Sequence, residues 1–273
     1  MSAYMVTAAI ELLMLSALSG VVGTWAVLRK RAFFAVALSH ATFPGGVIAA
    51  MLGVNVLLGQ GVAAFVLVPI MALISRVKHQ GGQVASGVVL SFGFALGALL
   101  ASVQNGMRVP VDALLVGQVF GVDLTDVWAA GIALLVCGVA VLVMRRRLLF
   151  DTFDSAGARA AGFSPAITDA VVVSIIAITV VVSMPAVGAI LSVAIVIGPA
   201  ATARLLVSRV ERIVPTAFFI AVVSSAIGLW VSWQWKVAAG GAIGITVGVL
   251  FVLAFAANRL RVTLHERRAV VAA

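Results

Sequence analysis

Apolar residues run along this chain in blocks of about twenty, separated by short clusters of charge or turn-forming residues. A helix rises 1.5 Å per residue, so ~20 apolar residues match the ~30 Å hydrocarbon layer of a bilayer. The pattern predicts nine such spans: Tyr4–Leu28, Ala32–Leu52, a third from the Gly53-Val54-Asn55 turn to Ser75, Val84–Val103, Val127–Met144, Ile167–Met184, Ala186–Leu206, Ile213–Val231 and Val237–Ala257. Pro185 is predicted to make the return between the sixth and seventh. Pro110–Gly121 is too short to cross and reads as one re-entrant or broken helix. Such backbone survives at membrane depth only where protein shields it or water reaches it. The fold class is therefore all-α: a polytopic helical membrane protein, organised as a single domain over residues 1–273.

Composition agrees with this pattern. Of the 273 residues 63% are hydrophobic and only 10% charged, against about 25% charged in a soluble domain. A net charge of +9 raises the possibility of nucleic acid, but these charges sit between apolar runs, so lipid rather than nucleic acid is the expected partner. If Pro110–Gly121 starts and ends on one side, 16 of the 18 Lys and Arg fall on a single face, leaving only Arg108 and Lys236 opposite. The positive-inside rule then sets the N-terminus outside and the C-terminus in the cytoplasm of a cell (inner) membrane. Trp230, Trp233 and Trp235 beside Lys236 read as an aromatic belt on the outer side. The one cysteine, Cys137, allows no intrachain disulfide and no thiolate cluster. The first apolar run lacks a basic leader and reads as a span rather than a cleaved signal.

Candidate chemistry is sparse. His40, in Ser39–Gly46 (SHATFPGG), is the only histidine deep in apolar sequence. Pro44 at i+4 has no N–H for the His40 carbonyl, so an imidazole and a released backbone oxygen fall at one level, a candidate cation path. Glu11, inside the first span, is a functional candidate because an unpartnered intramembrane carboxyl is costly; snorkelling to the interface is the alternative. Asp112 suits a cap on the short helix or the external mouth of a path. Asp123 and Asp126 are external turn positions that suit cation attraction.

The polar segment 149–165 is expected on the cytoplasmic side, and Asp151–Gly162 within it reads as a short helix. Phe150, Phe153, Ala158 and Ala161 would form its packing stripe and Asp151, Asp154 and Arg159 its polar edges, up to Gly162. Such spacing suits a membrane-surface helix equally well. Pro199 is a second candidate gate or helix break, and Gly87, Gly93 and Gly97 suit close helix packing. No Walker A sequence, nucleotide fingerprint, metalloprotease motif or nucleophile elbow occurs, so catalysis by this chain is not expected.

Four stretches, in this order and spacing, resemble the membrane permease subunits of bacterial ABC importers for manganese, zinc and ferrous iron. They are AFFAVALSHATFPGG (Ala32–Gly46), NGMRVPVDALLVGQ (Asn105–Gln118), LLFDTFDSAGARAAGF (Leu148–Phe163) and VGAILSVAIVIGPAATAR (Val187–Arg204). The resemblance implies a fold similar to vitamin B12 and siderophore permeases. It also implies a dimer with a second permease copy, two cytoplasmic ATPase subunits that bind the ATP, and an extracellular metal-binding protein. No permanently bound cofactor is implied; the divalent cation is cargo. By the same resemblance His40 contacts that cation, and the 149–165 segment, with Phe150, Asp151, Phe153, Asp154, Ala158, Arg159 and Gly162, couples to the ATPase. The family carries an Asp four residues before the histidine, where this chain has Val36, so a hard oxygen ligand is missing. The alternatives are a permease for a metal chelate such as a siderophore or cobamide, and an ATP-independent secondary transporter.

Overall fold

The computed structural model describes residues 3–75, 77, 81–103 and 115–272, with no β-strand among them. In chain order the helices are α1 (Tyr4–Leu28), α2 (Ala32–Leu52), α3 (Val56–Ile74), α4 (Gly81–Val103), α5 (Leu124–Phe153), the short α6 (Ser155–Ala160), α7 (Pro165–Leu206), α8 (Val210–Trp235) and α9 (Ala239–Ala272). All but α6 are long and apolar enough to cross a membrane, which makes eight such helices. Asp112, with the rest of 104–114, lies outside the described residues.

Helix α7 holds 42 residues, or ~63 Å of helix, twice the hydrocarbon thickness. It is two arms. Gly188 alone within it leaves helical geometry, at φ 80° and ψ 165°. Near the start of the first arm, Asp169 pairs with Arg31 in the α1–α2 turn. Val27 and Leu28, just before that turn, pack on a cluster that includes Ala200 and Ala203 near the end of the second arm. Both ends therefore lie at one level and the arms run antiparallel. Counted as two arms, α7 brings the apolar helical lengths among the described residues to nine, the number of crossings the charge pattern predicts.

The reversal falls at Gly188 and not at the predicted Pro185. Proline removes a donor but holds φ in the helical range, whereas this bend needs a positive φ that glycine supplies. Pro185 stays helical, and its carbonyl accepts the Gln118 N–H at 3.2 Å. Pro199 makes no break either, since the second arm runs through it. What the sequence around it provides is closeness: a Cβ on Gly23 would stand 2.1 Å from the Val196 carbonyl oxygen and 3.2 Å from the Ala200 Cβ.

The described part of the short element, 115–121, packs against this bend. Gly117 (φ +78°) touches Gly188 backbone to backbone, and a Cβ on Gly240 at the head of α9 would meet the Val116 carbonyl at 2.9 Å. Leu124 opens α5 three residues after the segment's final 3-10 turn, Val119–Gly121.

Helices α2 and α7 form the centre: 67% of their most apolar stretch is buried, against 17% in α3 and α5. A π-turn at Ser19–Gly23 swells α1 where it meets α7, and the Ser19 hydroxyl donates to the Val196 carbonyl at 3.1 Å. Gly93 and Gly97 do press α4 onto α2, because a Cβ at either would lie under 3.0 Å from Ala41 or Phe43. Gly87 faces open space instead.

At the end of the bundle that carries Arg29–Arg31, α5 continues through Arg145–Arg147 as far as Phe153, beyond the predicted end at Met144. Arginine and leucine are good helix formers, so nothing stops the helix where the apolar run stops. Asp154 (φ −140°) breaks it and caps α6, accepting the Gly157 N–H at 2.8 Å. Gly162 (φ +82°) and Pro165 then turn the chain into α7. The single short helix predicted over Asp151–Gly162 is thus the tail of α5 plus α6. Of the predicted packing stripe only Ala158 is buried; Phe153 is 61% exposed, Ala161 is exposed, and Phe150 packs edge-on against Phe163.

Candidate functional site

Helix α2 is broken near its middle. Its two halves are Ala32–Ala41 and Phe43–Leu52, with Thr42 between them. The break is set at Thr42 rather than at Pro44. Pro44 stands in the first turn of the second half, where a missing N–H costs nothing. Thr42 holds the junction: its hydroxyl donates to the Leu38 carbonyl at 3.0 Å and its own carbonyl accepts the Gly45 N–H at 3.0 Å.

His40 sits one turn before Pro44 and is half-buried. It shares a helix face with Val36 and Phe33, the least buried positions of a half-helix whose other side chains are mostly enclosed. The imidazole meets the edge of Phe94 of α4 at 5.9 Å between centroids and 88° between planes, and Phe94 in turn stacks on Phe43. Its Nδ1 is buried with no hydrogen-bond partner among the described residues. Phe33, Val36 and His40 therefore form a stripe that the described residues leave partly open, with one titratable ring at the end nearest the break.

Glu11 is not brought to that stripe. It is 0% exposed in α1, with neither carboxyl oxygen partnered among the described residues. Asp126, at the head of α5, lies close enough to interact with it electrostatically. An isolated ionised carboxylate in apolar surroundings is costly enough to demand a neutralising proton or cation.

Asp126 also borders a polar cavity of about 340 Å³ beside the Gly188 bend. Asn55, Gln60, Gln118, Asp123 and Thr125 share its lining, and Asp126 Oδ2 accepts the Asp123 N–H at 3.1 Å. Gln60 is 2% exposed and its carbonyl oxygen has no partner among the described residues. Neither glutamine stands out in the sequence; a lone amide in each of two short stretches is no motif. No group of three His, Cys, Asp or Glu side chains able to hold a metal occurs among the described residues. The arrangement therefore offers scattered, weak donors, as a route requires, rather than a closed metal cage.

The α1–α2 turn carries ion pairs the sequence did not suggest. Asp151, expected at a polar edge, is buried and pairs with Arg29 at 2.9 Å. Arg31 grips both carboxylate oxygens of Asp169, at 2.6 and 2.5 Å.

Comparison with known proteins places this geometry. The manganese transport system membrane protein MntC of Halalkalibacterium halodurans is 32% identical over 92% of this chain and 86% of its own length. The zinc transport system membrane protein TroC of Treponema pallidum is 32% identical over 79% of this chain and 76% of its own. Among solved structures, PsaBC from Streptococcus pneumoniae in complex with Fab superposes with a TM-score of 0.83 at 26% identity, covering 93% of this chain and 91% of that one. The ABC 3 transport family matches residues 1–258. With the helices, the bend and the broken α2 spanning that same length, this multi-pass membrane chain belongs to the ABC 3 transport family.

Proposed function

We propose that this chain is the permease subunit of an ATP-driven importer of divalent transition-metal cations, manganese, zinc or ferrous iron. The observation that carries the reading is the uncovered stripe of α2 with His40 on it. A neutral imidazole is a borderline ligand for Zn²⁺, Fe²⁺ and Mn²⁺, and the break at Thr42 marks this level as one where the helix is not merely packing. Two copies of the chain pair as a dimer, and the stripe faces the route between them. An extracellular metal-binding protein delivers the cation on the side of the Gly188 bend. Two cytoplasmic ATPase subunits dock on α6 and the exposed Phe153 and supply the energy. The N-terminus lies outside, the C-terminus in the cytoplasm, and the chain catalyses no reaction of its own.

Val36 shapes the selectivity. Without a carboxylate one turn before the imidazole, the site lacks the hard ligand and the negative charge that suit Mn²⁺, which leaves a weaker, nitrogen-dominated contact. Weak contact suits a route, because a cation held too tightly does not leave.

The test is reconstitution of the chain with its ATPase and its binding protein in proteoliposomes. ATP-dependent accumulation of free Mn²⁺, Zn²⁺ or Fe²⁺ is the expected result. Accumulation only of an organic chelate, or accumulation without ATP, overturns the reading.

A further inference from the structure

Two chains of contact meet at the cytoplasmic end of this molecule. The α1–α2 turn is only three residues, Arg29, Lys30 and Arg31, and α2 starts at once with Ala32. Backbone bonds hold the turn rigidly: the Arg31 N–H donates to the Ala26 carbonyl at 2.8 Å and the Lys30 N–H to Val27 at 3.2 Å. Any movement of this turn is thus delivered to the head of the half-helix that carries His40, roughly 12 Å along its axis at 1.5 Å per residue.

The same turn grips both sides of the α6 segment. Arg29 Nη1 donates to Asp151 Oδ2 at 2.9 Å and to the Thr152 hydroxyl at 3.3 Å, in the last turn of α5 before Asp154 begins α6. Its Nη2 stands 4.0 Å from Asp169. Arg31 Nη2 donates to both carboxylate oxygens of Asp169, in the first turns of α7 just after α6. The side chains of Arg29 and Asp151 are 13% and 4% exposed, so this pair is shielded from screening; Arg31 and Asp169, at 31% and 35%, are half-exposed. Two guanidiniums, two residues apart, meet carboxylates from both flanks of one short helix: Arg29 reaches Asp151 with Nη1 and lies near Asp169 with Nη2, while Arg31 holds both Asp169 oxygens through Nη2. Positive-inside topology explains why arginines are here but not why both carboxylates lie opposite them.

From this we infer that the Arg29–Asp151 and Arg31–Asp169 pairs are the mechanical link that carries movement of α6 to the His40 half of α2. The inference rests on the importer reading and assigns these four side chains a positioning role in it. When the ATPase displaces α6, the flanking ends of α5 and α7 move with it. The ion pairs, directional and short, oblige the head of α2 to follow. Without them α6 still engages the ATPase, but the path helix is no longer tied to it.

The test uses the assembled complex in proteoliposomes and reads metal uptake and ATP hydrolysis together. In Asp169→Asn and in Arg31→Gln, hydrolysis persists while cation taken up per ATP falls by about two- to thirtyfold, the range over which changes along a coupling network act. The double exchange Arg31→Asp with Asp169→Arg, at the half-exposed pair, restores at least part of that ratio. Arg29→Lys keeps the charge but not the fork, and its ratio lies between parent and Asp169→Asn. An unchanged uptake-to-hydrolysis ratio in Asp169→Asn and Arg31→Gln overturns the inference. So does an equal fall in both quantities, which marks the pairs as merely structural. A parent complex that imports no free cation overturns the importer reading itself; a parent that imports while the variants stay coupled overturns only the link.

Discussion

Replacing His40 with alanine is expected to lower cation uptake by about tenfold or more, since even supporting contacts around a metal change affinity or activity by about 10–100-fold. The helix should remain intact, because His40 is half-buried and meets Phe94 only edge-on. Hydrolysis by the partner ATPase is the control that separates a path effect from loss of assembly. Val36→Asp is the complementary change. On the face shared with His40, a carboxylate one turn earlier adds an oxygen ligand and a charge, and the preference shifts toward Mn²⁺ relative to Zn²⁺. Competition between the two metals in an uptake assay measures that shift. No change in either variant removes the imidazole from the route.

The second large effect is structural. Gly188→Ala places a Cβ 2.3 Å from the Leu115 carbonyl oxygen and 2.4 Å from the Gly117 nitrogen, at a backbone conformation of φ 80° and ψ 165°. That region is essentially confined to glycine, at a cost of about 1–3 kcal/mol before any clash, and overpacking adds a similar amount. The variant is expected to lose several kcal/mol, seen as a sharply lowered melting temperature in detergent or as failure to accumulate in the membrane. Gly87→Ala is the matched control: its Cβ would meet nothing within 4 Å, so its stability should stay close to the parent's. Equal behaviour of the two variants contradicts the close approach at the bend.

How these features stand in the sequence follows from the range of the forces that set them. The spans are legible because each is decided locally: about twenty apolar residues suffice, whatever they later pack against. The number of passes is legible because charge asymmetry sums over the whole chain. The point of reversal in α7 is not, since Pro185 and Gly188 are both punctuation and only the approach of Gly117 decides between them. The end of α5 is misread for a related reason. Hydropathy marks where the lipid ends, while the helix goes on through three arginines to Phe153.

Among the candidate site residues, His40 is legible because a histidine in apolar sequence is rare and the surrounding block resembles a known family. Glu11 stands out in the same way, but nothing local tells that it is fully enclosed and beside Asp126. The ion pairs of Arg29 and Arg31 are invisible beforehand, since 122 and 138 residues separate the partners. Asp151 looks like a solvated edge until α1 is folded against it. Gln60 is the same case with an amide: only the assembled cavity distinguishes it from any other polar residue in a span.

A wet route along the His40 stripe can be probed directly with a placed thiol. Cys137 is buried and is the chain's only cysteine, so Cys137→Ala gives a background in which a thiol can be placed at will. In that background His40→Cys should react with a charged, water-soluble thiol reagent in the assembled complex, and divalent cation should slow the reaction. Phe65→Cys, at a position 82% exposed on the apolar flank of α3, should not react. A thiol at position 40 that stays unlabelled, or that labels at the same rate with and without cation, would contradict the account.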